Sequence, residues 1–165
     1  MKIRCAVINT ILPWVLIALT AGCAATRNKF KPEETALRLH LEVTPDGTAH
    51  NAPVAIFRAS PIFVNVEKDP FLNEALIQKA EVVDDLGGFS IRVHFDQKGA
   101  WLLENVTTAN KGRRIAIFSQ FSATRWLAAP VLMRRITDGI LQFTPDATRE
   151  EADRLVRGLN NVAKK

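Results

Sequence analysis

GGFSIRVHFDQKGAWLLENVTTANKGRRIAIFSQ, residues 87–120, reads as strand, helix, strand, and the rest of the chain can be laid around it. In Phe89-Ser90-Ile91-Arg92-Val93-His94-Phe95 the odd positions are apolar and the even ones polar, the period-two pattern of a half-buried strand. Asp96 follows as a helix cap. Ala100, Leu103 and Val106 then recur at helical spacing toward Asn110, placing an apolar stripe on one face. Lys111-Gly112 supplies a stop, because glycine accepts the left-handed conformation without steric cost. Within Arg113 to Ser119, Ile115-Ala116-Ile117-Phe118 is apolar on both faces, which predicts a central strand.

Working back from this unit, Asp84-Asp85-Leu86-Gly87-Gly88 reads as a hairpin turn, with Glu81-Val82-Val83 as a brief strand before it. Asp69-Pro70 puts proline at a first helical position, so Phe71 to Gln78 is expected to make one or two helical turns. Val54 to Arg58 and Ile62 to Val66 are expected strands. Pro61 between them cannot donate to a ladder and belongs at an edge or break. Leu37-Arg38-Leu39-His40-Leu41-Glu42-Val43 alternates cleanly, and Pro45-Asp46-Gly47 is a turn by its chemistry.

Beyond Gln120, Trp126 to Met133 is apolar but interrupted by Pro130, the pattern of an edge or bulged strand. Asp138-Gly139 turns into a short strand, Ile140 to Phe143. Thr148-Arg149-Glu150-Glu151 fits a capping box. Ala152, Leu155, Val156, Leu159 and Val162 then line one helix face, with Arg149, Asp153, Arg154 and Arg157 on another. The expected fold is α+β, a mostly antiparallel sheet with two main helices packed on one face.

The N-terminus carries an address. Lys2 and Arg4 precede an apolar run from Ala6 to Ala21, as in a secretory signal. The run is broken by Pro13 and falls short of the ~20 residues that span a bilayer. Leu19-Thr20-Ala21-Gly22-Cys23 resembles a bacterial lipoprotein signal box, in which the cysteine is diacylated and becomes the new N-terminus. Thr20 departs from it, since leucine is commonest at that place. An uncleaved signal anchor and a secreted protein with a free thiol are the alternatives. Ala24, where inner-membrane lipoproteins often carry Asp, favours the outer membrane. The expected organisation is a signal peptide over 1–22, a lipid-anchored tether over 23–35 and one domain over 36–165. Fully extended at about 3.3–3.6 Å per residue, residues 24–35 reach ~40 Å.

The whole chain has formal charge +5. Removing Lys2 and Arg4 leaves 20 basic against 17 acidic residues, net +3, too little to argue for nucleic acid. The two cysteines are Cys5, in the signal, and Cys23. The mature domain is then expected to lack disulfide and thiol chemistry.

No residue pattern identifies a reaction. His40, His50 and His94 have no second His or Cys at ligand spacing, and His40 and His94 sit on polar strand faces, so solvated histidines are expected and no metal. Asp84-Asp85 beside Gly87-Gly88 reads as a turn and not as a calcium loop. Ser60, Ser90, Ser119 and Ser122 lack a Gly-x-Ser-x-Gly elbow, and there is no Walker loop or Gly-x-Gly-x-x-Gly. No catalytic residue and no cofactor is expected. Trp101, beside the apolar stripe of its helix, is expected to be core or half-buried. Arg113-Arg114, Arg134-Arg135 and Arg125 beside Trp126 read first as solvated strand ends, and alternatively as groups that touch anionic lipid, cell-wall polymer or extended polypeptide. Phe63, Arg125, Trp126, Arg134 and Arg135 are the candidate partner surface, since exposed aromatics mark interfaces.

From about Val64 to Val162 the chain resembles the head subdomain of the first periplasmic domain of SecD, an accessory subunit of the bacterial protein-export translocon. The order of features carries the likeness. Ile77-Gln78-Lys79-Ala80-Glu81-Val82 precedes the Gly turn, followed by Ile91-Arg92-Val93-His94-Phe95 and the Gly99-Ala100 helix start. Next come Thr108-Ala109-Asn110-Lys111-Gly112-Arg113-Arg114-Ile115-Ala116-Ile117, the small-residue strand Ala128-Ala129-Pro130-Val131, then Ile136, Gly139, Phe143-Thr144 and the Glu150-Glu151-Ala152 helix. SecD has transmembrane segments that couple proton movement to export; no stretch here reads as one, and Thr144 to Thr148 is longer than the usual junction. The resemblance implies a SecD-head-like α+β fold and contact with unfolded or translocating protein, without the proton-driven function. The leading functional expectation is a lipid-anchored envelope protein, membrane-held through Cys23 and binding a protein partner or exported polypeptide. A structural cell-wall lipoprotein is the alternative, and an unrecognised hydrolase the third reading.

Overall fold

The computed structural model describes residues 33–57, 60–121 and 124–164. The signal, Cys23 and the tether up to residue 32 lie outside them, as do Arg58 and Ser122. The described elements run β1 (Ala36–Leu41), β2 (Asn51–Ile56), β3 (Ile62–Glu67), β4 (Leu72–Asn73), a 3₁₀ turn (Glu74–Leu76), β5 (Ile77–Asp85), β6 (Gly88–Phe95), α1 (Gln97–Ala109), β7 (Ile115–Gln120), β8 (Thr124–Ala128), β9 (Ile140–Phe143) and α2 (Arg149–Ala163). The strands pair antiparallel in three sheets, ordered β4-β1-β7-β8, β2-β3 and β5-β6-β9. With its two helices, the fold is the expected α+β class.

The strand–helix–strand unit forms as its pattern dictates. Asp96 caps α1 by accepting from the Gly99 N–H at 2.7 Å. Asn110 closes the helix, and Gly112 follows at φ 88°. β7 lies between β1 and β8. Ile115 and Ile117 enter the main core, which also holds Leu37, Leu39, Ile91, Val93, Leu103, Leu141, Leu155 and Leu159. Ala116 enters a second, smaller core with Ile56, Val64, Val66 and Ala129. β7 is apolar on both faces because a core lies on each.

That second core corrects the reading of His40. The β2-β3 hairpin covers the face of β1 that alternation assigned to solvent, and His40 is only 7% exposed. Its Nδ1 donates to the Glu67 carbonyl at 2.8 Å, which fixes that tautomer. Its ring meets Trp126 edge-on at 5.1 Å. Burial pushes its pKa down, against the partial offset of the Glu67 bond, so the buried ring is held neutral.

The expected helix over Phe71 to Gln78 is replaced by β4, one 3₁₀ turn and the start of β5. Leu72 pairs with Leu39, and the Asn73 side chain accepts from Ala75 N–H at 3.2 Å, capping a single turn. β5 carries a bulge between Ile77 and Lys79. The extra residue shifts the pleat, so Ile77 and Ala80 are both buried although three apart. That spacing mimics a helix. Trp101 also departs from expectation: it is 63% exposed, because Leu103 and Thr107 form the buried side of α1.

α2 begins at the expected capping box, Thr148 with Glu151, and buries Ala152, Leu155, Val156 and Leu159. Residues 33–35 strap across it. Arg154 pairs with Glu33 at 3.3 Å and Asn161 Nδ2 donates to the Glu33 carbonyl at 3.0 Å. Beneath the strap sits Gly158, where an added Cβ would lie 2.0 Å from Thr35 Oγ1 and 3.2 Å from Thr35 N. Gly158→Ala is therefore expected to destabilise by about 1–3 kcal/mol, although alanine is the better helix former by ~1 kcal/mol. Urea unfolding checks this, and a stabilised variant would mean the strap does not press on α2.

Candidate functional site

A cleft with a volume of about 570 Å³ lies along β9. One wall is Arg92 with Ile140, Leu141 and Gln142; the other is the irregular segment 130–138 that leads from β8 toward β9. Pro130 is why that segment is irregular, since it has no N–H to continue a ladder. The wall is nevertheless pinned. Ile115 N–H donates to the Pro130 carbonyl at 3.0 Å and Leu132 N–H to that of Arg113 at 2.8 Å. Thr107 Oγ1 accepts from Ile136 N–H at 3.0 Å while donating to the Leu103 carbonyl within α1. Arg135 pairs with Glu104 of α1 at 3.3 Å. Gly139, at φ 67°, turns the chain into β9 where a Cβ would fall 2.6 Å from the Ala100 Cβ.

The rim is cationic. Arg92 donates to Gln142 Oε1 at 3.1 and 3.3 Å and pairs with Glu81 at 3.4 Å. Arg134 has no bonded or ion-paired partner among the described residues and stands beside Met133, which is 74% exposed. Asp138 is the only carboxylate in the lining. Next to the cleft, Lys79 bonds Glu81 at 2.7 Å, and this bond, aided by His94, holds the Glu81 carboxyl down at about 2. A depressed carboxylate stabilises the fold above the ordinary value near 4.5 and loses that contribution as pH falls toward 2. Glu81→Gln is accordingly expected to flatten the acid limb of stability over that window. Urea midpoints at several pH values test it, and parallel limbs for the two proteins would refute it.

The structure brings Arg134 and Arg135 together at this cleft and places the other candidates elsewhere. Arg125 pairs with Glu151 of α2 at 2.9 Å. Trp126 is half-buried over the second core, packed edge-on against Phe118 at 5.2 Å and against His40. Phe63 is 77% exposed on β3, where it pairs with Ala55 of β2. Met133, Arg92 and the β9 edge were not singled out by sequence. Pro130, by breaking the apolar run, was the available signal for an open cleft. Among the described residues no helix is long and apolar enough to cross a membrane, and no group of three or more His, Cys, Asp or Glu side chains is placed to hold a metal.

A solved structure of a membrane component SecDF that enhances protein export is similar to this chain, with TM-score 0.57 at 20% identity over 78% of this chain and 63% of that one. A crystal structure of SecDF in a super-membrane-facing form gives the same TM-score and identity over 78% of this chain and 19% of that one. The chain thus spans less than two thirds of either, and the likeness is one of fold. No curated protein matches. The family model described as SecDF, P1 head subdomain, matches residues 51–163, from the start of β2 to the end of α2. That match covers more than half of the chain, and the chain belongs to the SecDF P1 head subdomain family.

Proposed function

We propose that this protein is a lipid-anchored envelope component, held through Cys23 with its SecDF-head domain in the periplasm, and that the domain contacts exported polypeptides or an envelope protein partner. The observation that carries this reading is the family match over 51–163, joined to the description of a similar solved structure as a component that enhances protein export. A preformed cleft with a cationic rim is the kind of surface such contact needs. The Leu19 to Cys23 box supports the anchor, and Ala24 supports the outer membrane.

A photo-crosslinking residue in place of Met133, in intact cells, tests the contact. The expected adducts are with secreted proteins or an envelope partner, and they fall when Cys23→Ala releases the protein from the membrane. Absence of any protein adduct above that control would sink the reading. Intact mass and membrane fractionation of the same pair test the anchor: an acylated mass is expected for the wild type only.

A further inference from the structure

The two edges of the three-stranded sheet are treated differently. On β5, the Asn160 side chain of α2 accepts from the Ala80 N–H at 2.8 Å and donates to the Ala80 carbonyl at 2.9 Å. One amide thus replaces a neighbouring strand, and the edge is closed there. On β9, Phe95 N–H donates to the Gly139 carbonyl at 3.0 Å. In an antiparallel ladder the bonded pairs recur at every second residue, so Leu141 and Phe143, in register with Val93 and Ile91, also point their backbone groups at β6. Ile140 and Gln142 therefore point theirs away from it. Asp138 Oδ1 takes the Ile140 N–H at 3.1 Å. Among the described residues nothing bonds the Ile140 carbonyl, the Gln142 N–H or the Gln142 carbonyl. An unpaired row of this kind is a template for another strand.

This open row borders the cleft, whose far wall is already pinned to α1 and β7. Its volume, about 570 Å³, lies within the ~300–1,000 Å³ of ligand clefts. The lining holds three guanidinium groups, Arg92, Arg134 and Arg135, against one carboxylate, Asp138. Arg92 and Arg135 have carboxylate partners, whereas Arg134 is left over. We propose that an extended, acidic segment of polypeptide adds to β9 as a fourth strand. Its main chain bonds Ile140 and Gln142, and an acidic side chain meets Arg134. Main-chain pairing supplies affinity that tolerates varied sequence, and the arginine supplies the preference for acidic segments. The choice of occupant rests on the reading that this domain contacts exported polypeptide, and names how.

Gln142→Pro is the discriminating variant. It deletes an N–H that points away from β6, so the internal ladder stays intact, and edge positions of this kind accept proline. Gln142→Thr loses the same side-chain bonds to Arg92 but keeps the N–H. The probe is a short acetylated peptide of alternating Thr, Val and Glu, titrated by NMR into the full-length chain in detergent. Wild type is expected to bind it with shifts centred on the Gln142 amide and its neighbours along β9. Gln142→Pro should bind about tenfold or more weakly than Gln142→Thr, the scale of one lost main-chain bond. The Lys-for-Glu peptide should bind wild type less well, and increasingly so at low salt. A peptide N-methylated at alternate residues should not bind wild type, an arm that needs no protein variant. Equal binding to the Pro and Thr variants would overturn edge pairing while leaving polypeptide contact elsewhere standing. No binding of the acidic peptide to wild type would also overturn it. So would a wild-type dimer that Gln142→Pro dissociates in sedimentation, since the edge would then belong to a second copy of this chain.

Discussion

Asn160→Leu is expected to lower the unfolding free energy by about 2–6 kcal/mol, taking ~1–3 kcal/mol for each buried backbone group left without a partner. Ala80 is 2% exposed, and the Asn160 amide satisfies both its N–H and its carbonyl. Leucine has the same number of side-chain heavy atoms and the same branch at Cγ, so it covers the site while offering neither bond. Against a typical domain stability of about 5–15 kcal/mol the loss is large. Chemical denaturation measures it directly. A change under ~0.5 kcal/mol, the range of plain surface substitutions, would mean that water reaches the β5 edge and that α2 does not seal it.

Leu159→Ala is expected to cost about 2–5 kcal/mol, the transfer and cavity terms for a large-to-small change in a packed core. Leu159 has no exposed area and lies in the main core with Leu37, Leu39, Ile91 and Leu103. Arg157, two residues earlier on the same helix, is exposed and serves as the contrast. Its replacement by alanine should stay within ~0.5 kcal/mol. Similar effects at both positions would mean that the buried face of α2 has been misassigned.

The two helices show how much could be read in advance. Asp96, Asn110, Gly112 and the Thr148–Glu151 box act within one or two turns of themselves, so their geometry follows from the local sequence. Apolar spacing likewise assigned the buried face of α2. The start of β5 is not legible because Asp69-Pro70 signals a helix through Gln78, whereas the chain makes one 3₁₀ turn and enters β5 at Ile77. Alternation alone makes His40 solvated, because it reports only that two faces differ. It does not report that a hairpin from elsewhere in the chain covers the second face.

The candidate site divides in the same way. Arg134 and Arg135 stood out as a basic pair next to a proline-broken strand, and the structure sets them on one cleft. Arg125 and Trp126 stood out equally, yet Glu151, His40 and Phe118 occupy them. By itself, then, the sequence determined the caps and turns, which depend on neighbours a few residues apart, and the α+β class and the family, which follow from the order of those local signals along the chain. Tertiary structure alone decided which strand edge is closed by Asn160 and which stays open beside Arg134. Those contacts join residues about eighty positions apart for Asn160 and Ala80, and no short-range pattern encodes a partner at that distance.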